Sequence, residues 1–240
     1  MRYGGKLKLF MFFKTHRERV YKFAKLGNFI HLYFNKCLSS KKSMKFDFLQ
    51  PINLENERLI LRPLEQNDFA SLLPFSENEA DLWNFSLTPA AGAKNLQTYI
   101  DTALASRDKL QAYPFVVFDK RTQQIAGSTR FYDIQIVHNV LSLGYTWYGK
   151  EFQRTGLNRN CKYLMLSYAF DTLGVDQVEF RADLRNAKSI KAMKQIGCTQ
   201  EGILRSNCSA VNGRRDSNVL SILKPEWDQK VKMELQAKLY

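Results

Sequence analysis

The sequence predicts one α+β domain over residues 44–240. Three observations lead there. Apolar residues recur with a period of two in some segments and near 3.6 in others, so the body mixes strands and helices. Three strand-like runs in mid-chain follow one another across short turn-rich joints, the pattern of an antiparallel meander. Two later strands run straight into helix-like segments, and neither an internal repeat nor a low-complexity linker divides the body.

Taken in order, "RLILRPL" from Arg58 alternates as a strand, and Pro63, which has no N–H to give a ladder, limits it. "EQNDFASLLPF" follows with Phe69, Leu72 and Leu73 at helical spacing. "GAKNLQTYIDTALASRDKL" gathers Leu96, Tyr99, Ile100, Ala103 and Leu104 on one helical face. The meander is "YPFVVFD", "QIAGSTRFYDI" and "LSLGYTWY". Leu157, Cys161, Leu164 and Tyr168 then keep a helical period until Gly174, a C-terminal stop. "VDQVEFRAD" is a strand and "NAKSIKAMKQIG" a short helix. "GILRSNCSAV" and "RRDSNVLSIL" flank Asn212-Gly213, the strongest hairpin signal in the chain. "KPEWDQKVKMELQAKL" closes the sequence as a helix, giving β-α-α-β-β-β-α-β-α-β-β-α.

The formal net charge of +13 is concentrated at one end. Residues 1–43 hold eleven Lys/Arg against the single acid Glu18, which leaves 25 Lys/Arg against 22 Asp/Glu for the rest. A nucleic-acid reading of the body loses its electrostatic basis. Residues 1–43 read as a basic extension, with Met44 as the start of the native protein; an amphipathic surface helix, binding anionic lipid or nucleic acid, and a targeting sequence are the other readings. No apolar run approaches the ~20 residues of a membrane span. Cys37, Cys161, Cys198 and Cys208 form no CxxC pair, and His138 is the body's one histidine. Neither a zinc centre nor a histidine-based triad is therefore indicated, no metal is expected, and free thiols suit a cytoplasmic protein.

The junction "YTWYGKEFQRTGLNRN" runs from a strand through Gly156 into a helix. Such a corner either turns the chain or cradles an anion on free N–H groups and the positive helix end, with Arg154 and Arg159 adding charge. Neither GxGxxG nor GK[ST] is present, so no dinucleotide fold or nucleotide P-loop is indicated. A second strand ends at Asp183-Leu184-Arg185-Asn186, where Asn186 caps the next helix and Ser189 sits in its first turn. If the two strands are neighbours, both helix N-termini open at one edge of the sheet.

In that order and spacing, the chain resembles the GNAT N-acetyltransferases of the RimJ/RimL type (ribosomal-protein N-terminal acetyltransferases) over about residues 50–230. The Q/R-x-x-G-x-G/A signature reads Gln153-Arg154-Thr155-Gly156-Leu157-Asn158, departing only at Asn158. "GSTR" at 127–130, Asn186-x-x-Ser189, "GCTQEGILR" at 197–205 and "NGRRDSNVLSIL" match the other motifs. The resemblance implies the acyl-CoA N-acyltransferase fold, a mixed, mostly antiparallel sheet with splayed fourth and fifth strands.

It also implies acetyl-CoA as co-substrate, an amine acceptor as the other partner, no metal, and a monomer or homodimer. By the same resemblance Gln153, Arg154, Thr155, Gly156, Leu157, Asn158 and Arg159 would hold the pyrophosphate. The edge of "LGYTWY", including Trp147, would pair with the pantetheine arm and polarise the thioester, and Asn186 and Ser189 would complete the site. Many relatives use a tyrosine where this chain has Met193, so Ser189 becomes the candidate acid, with a second helix cap as its other reading. No base stands out among Glu179, Asp183 and Glu201, and Cys208 reads as a buried apolar residue. "DLWNFSL" (Asp81–Leu87) and Trp147 would line the acceptor's entry, or Trp83 is a core aromatic. The alternative function, prompted by Met193 and the missing base, is a non-catalytic acyl-CoA-binding module on the same fold.

Overall fold

In the computed structural model the described residues are 44–210 and 213–239. The basic extension, residues 1–43, lies outside that range, as do the turn positions 211–212 of the expected hairpin. Strands β1 (Leu54–Glu55) and β2 (Leu59–Pro63) open the domain, and β2 ends at the proline as anticipated. Helices α1 (Phe69–Asn78) and α2 (Ala93–Asp108) follow. The meander is β3 (Ala112–Asp119), β4 (Gln124–Gln135) and β5 (Val140–Tyr148). Next come α3 (Leu157–Ser167), β6 (Gln177–Asp183) and α4 (Ala187–Gln195). β7 (Thr199–Ala210) and β8 (Gly213–Leu223) form the hairpin. A C-terminal helix, α5, runs through Lys224–Glu226, Trp227–Val231 and Lys232–Gln236.

The eight strands lie in the order β1-β2-β3-β4-β5-β6-β8-β7. Every neighbouring pair is antiparallel except β5 and β6. That parallel pair is short: Val140, Leu141 and Ser142 meet Gln177, Val178 and Glu179. β5 then stays with β4 as far as Tyr148, while β6 stays with β8 as far as Asp183, so the sheet splits between them. The sequence expectation of splayed strands holds; counting the two-residue β1, which no periodicity reveals, makes them the fifth and sixth.

The split has a local cause. Arg130 opposes Gly144, yet Ser128 opposes Trp147, so β5 carries one extra residue there. Tyr145 takes φ +51°, in the left-handed region, at that bulge. A bulge bends and twists its strand, which turns β5 away from a straight neighbour.

The core lies on both faces. Phe75 of α1 and Tyr99 of α2 pack on Trp147, the Tyr99 hydroxyl lying 3.3 Å from Ser128 Oγ. Thr129 and Phe131, one residue out of phase, meet Met165 of α3 and Tyr168 beyond it. α3 widens into a π-type turn over Tyr168–Leu173 before Gly174 ends it at φ +71°. A second wide turn, Trp227–Val231, brings fully buried Trp227 flat on Phe170 at 5.3 Å, its Nε1 donating to Asp171 at 3.0 Å.

Candidate active site

Parallel strands end at the same edge of a sheet, so the loop after β5 and the loop after β6 open side by side. The first loop is shaped by short-range bonds. Gln153 Nε2 donates to the Tyr148 carbonyl at 3.0 Å, and Thr155 Oγ1 to the Phe152 carbonyl at 2.7 Å. Arg154 (φ +62°) and Gly156 (φ +85°) both take the left-handed conformation. Alternation of hand turns successive N–H groups toward one point, and the first amides of α3 add to them because a helix start has no intrahelical acceptor for them. A Cβ placed on Gly156 would meet nothing within 4 Å, so the space beside it is open.

The sequence-named residues divide by what they do here. Gln153, Arg154 and Thr155 are exposed, Asn158 is half-buried, and Leu157 sends its side chain into the core. Arg159, expected to lend charge to an anion, instead gives Nη1 to the Lys238 carbonyl at 2.5 Å. Sequence reasoning missed Asn160. Buried under the loop, it donates to the Gly156 carbonyl at 3.3 Å and the Leu239 carbonyl at 3.4 Å, and accepts from Asn56 at 2.9 Å. An amide between Leu157 and Cys161 on the inward face of α3 was the signal available for it.

At the second corner Asn186 does what a cap does: its Oδ1 accepts the Ser189 amide at 3.0 Å. Ser189 is half-buried beside it, and Met193, 7% exposed, has no proton to give. Asp183 is ruled out as a ready base. Arg185 donates to its Oδ1 from the backbone and from Nε, both at 2.9 Å, and to Oδ2 from Nη2 at 2.7 Å. That guanidinium hydrogen bond chiefly holds the carboxyl below its ordinary pKa. Glu179 is paired with Arg181, and Glu201 accepts from Ser221 Oγ, both at 2.5 Å. Cys208 is half-buried on the edge strand rather than buried as expected. Trp147 is 8% exposed and Trp83 3% exposed, and their rings lie 5.4 Å apart in an aromatic cluster, so Trp83 is a core aromatic.

The profile of the acetyltransferase (GNAT) domain matches residues 58–199, more than half of the chain. The chain belongs to the GNAT family. The GNAT relative YjcK of Bacillus subtilis (strain 168), named a probable N-acetyltransferase, is 25% identical over 182 residues, 73% of this chain and 99% of its own. A GCN5-related N-acetyltransferase from Brucella melitensis superimposes with a TM-score of 0.77 and 24% identity, covering 84% of this chain and 90% of its own. The ribosomal-protein-S5-alanine acetyltransferase of Vibrio fischeri shares the fold at TM-score 0.61 and 18% identity, over 73% and 98% of the two chains. That last likeness is one of fold; for the RimJ/RimL-type motifs a similar relative is YdaF of Bacillus subtilis (strain 168), named a putative ribosomal N-acetyltransferase, 25% identical over 183 residues, 72% of this chain and 95% of its own.

GNAT proteins use acetyl-CoA, and the residues present suit it. The exposed loop residues Gln153–Thr155, the open space at Gly156 and a length of β5 that has parted from β6 would suit an anion beside a free strand edge. Among the described residues no group of three or more His, Cys, Asp or Glu is placed to hold a metal ion, and no helix is long and apolar enough to cross a membrane.

One buried charge of this GNAT domain escaped the sequence reading. Lys162 of α3 is 5% exposed, and its Nζ donates to Thr146 Oγ1 on β5 at 2.7 Å. Burial pulls its pKa from 10.5 down to about 8, against a smaller upward pull from Cys161 and Cys198. The folded chain therefore holds this proton more weakly than the unfolded chain. The stability cost is complete below pH 8 and is relieved as pH rises from about 8 to 10.5. Lys162→Met is expected to be more stable than the native chain at pH 7, by roughly 2 kcal/mol. Urea titrations of the two proteins at several pH values should show that gap closing through the alkaline range. A gap independent of pH would mean that the charge is not its origin.

Proposed function

We propose that this GNAT acetyltransferase moves an acetyl group from acetyl-CoA to a primary amine, either a protein N-terminus or a small molecule, by direct attack on the thioester. The observation that carries the reading is the parallel β5–β6 pair, which parts after three positions and leads on both sides into a helix start. Acetyl-CoA supplies an acyl carbon already activated by its sulfur. The loop from Gln153 to Asn158 holds the pyrophosphate through its amides, and Arg154 remains exposed to add charge there. The open edge of β5 between Leu143 and Tyr148 orients the pantetheine arm and directs an N–H at the carbonyl oxygen, where negative charge develops.

The neutral amine nitrogen attacks the carbonyl carbon, the new C–N bond forms, and the C–S bond breaks. The sulfur takes a proton from Ser189, and the serine is reprotonated through water by the proton that the amine loses. Glu179, Asp183 and Glu201 are held by Arg181, Arg185 and Ser221, so the amine's proton leaves through water and positioning supplies much of the acceleration.

Calorimetric titration with acetyl-CoA, followed by thiol release over a panel of amines and peptides, tests this. Saturable binding and amine-dependent release are expected. Ser189→Ala should lower kcat about 100-fold while the acetyl-CoA Kd stays close to that of the native chain. A folded protein that does not bind acetyl-CoA would end the proposal.

A further inference from the structure

Arg130 stands on β4 opposite Gly144, beside the bulge that opens the sheet. It is 3% exposed, and its Nε and Nη2 are enclosed without a hydrogen-bond partner among the described residues. Its guanidinium lies between two rings, 5.0 Å from the centre of Tyr99 and 4.1 Å from that of Tyr145. Cation–π contact offsets part of the cost of burying a charge but satisfies no N–H. Among the described residues Arg130 forms no ion pair. Asp119 on the neighbouring β3, and Glu179 and Asp183 on β6, are taken by Arg58, Arg181 and Arg185.

A second orphan lies in the same aromatic cluster. Trp83 Nε1 is buried without a partner, on a ring 5.4 Å from Trp147, which in turn donates to the Tyr99 hydroxyl at 3.3 Å. Both orphaned groups are donors that cannot accept, and so they call for the same complement: an acceptor rich in lone pairs, and an anionic one for Arg130. The charge is felt locally. Burial by itself would raise the Tyr99 pKa, yet the field of Arg130 and the bonds to its hydroxyl bring it below the ordinary value.

The location says which anion. Tyr145, whose ring closes over the guanidinium, is half-exposed and belongs to the part of β5 that has left β6. A group reaching Arg130 past that ring would lie beside β5 at Gly144, several residues short of the loop beyond Tyr148 proposed for the donor's phosphates. We propose that Arg130 is a specificity-determining residue for the acceptor, and that the acceptor is an amine bearing a carboxylate within a few bonds of its nitrogen, as a free amino acid does. The inference rests on the amine acetylation proposed above and narrows its substrate.

The test pairs each acid with its neutral twin. The full chain is given acetyl-CoA with amino acids and with the corresponding amino-acid amides, and acetylation is followed by mass shift. A second arm uses peptides beginning with Asp or Glu against Asn or Gln, which separates a free amino acid from an acidic N-terminus as the source of the carboxylate. Acids are expected to exceed their amides by about 100-fold or more in kcat/KM, because a site built for a hydrogen-bonded group rejects the analogue lacking it. Arg130→Met should abolish the preference, and Arg130→Lys, which keeps the charge but loses the fork, should weaken it. Acetyl-CoA titration run alongside distinguishes the two failures. No binding of acetyl-CoA overturns the acetylation reading; binding with equal use of acids and amides, or with no acetylation of any carboxylate-bearing amine, overturns the assignment of Arg130. If Arg130→Met does not fold, the acid–amide comparison on the native chain and the lysine variant still decide.

Discussion

Gly127→Ala is expected to cost about 3 kcal/mol or more in folding stability, the largest loss from any added methyl in the domain. The new Cβ would collide with the carbonyl oxygen of Trp147, and it would also come within 2.9 Å of Tyr148 Cα and 3.0 Å of Trp147 C. All three are backbone atoms of β5, held in register with β4 through the Gly127–Tyr148 and Ser128–Trp147 pairs. Gly127 itself cannot back away, because β4 is also held on its other side through the Val117–Gly127 pair with β3. The collision falls on the segment proposed to receive the pantetheine arm, so binding should fall with stability. Gly144→Ala is the control: its Cβ meets the Tyr132 ring, 2.9 Å from Cε1, and a ring can turn. Urea unfolding of both variants checks the contrast. If Gly127→Ala is no less stable than Gly144→Ala, the close backbone approach is not what fixes glycine at 127.

Gly156→Val should raise the acetyl-CoA Kd at least about tenfold, 1.4 kcal/mol of binding energy. Two effects contribute and they are separable. A β-branched residue at φ +85° costs about 1–2 kcal/mol of backbone strain, which tends to pull the loop out of its left-handed turn. The side chain also fills space that is open in the native loop, where the phosphates would approach. Gly156→Asn tests the second effect alone, since asparagine tolerates the left-handed region. Its stability should stay near that of the native chain while its Kd rises. Unchanged affinity in both folded variants would return the loop to an ordinary strand-to-helix turn.

Local physics was legible where a few neighbouring residues settle the outcome. Pro63 ends β2 because it has no N–H, Gly174 ends α3 because it takes φ > 0, and Asn186 caps α4 through the Ser189 amide three residues on. The motifs in their order also led to the family, and through it to the split sheet. The two-residue β1 was invisible because so short a strand has no period to detect. The wide turns at Tyr168–Leu173 and Trp227–Val231 were invisible because both helices keep a near-helical apolar pattern, and the packing of Phe170 on Trp227 lies between segments remote in sequence.

The candidate site divides in the same way. By itself the sequence determined the loop from Gln153 to Arg159 and the cap at Asn186, because turn hand, capping and glycine freedom are set within a few bonds. Tertiary structure decided which charges are free to act. It spent Arg159 on the Lys238 carbonyl and Asp183 on Arg185, buried Lys162 against Thr146, and enclosed Arg130 between Tyr99 and Tyr145. A charge's worth depends on its burial and on its partners, and those partners are brought together only when distant strands and helices pack.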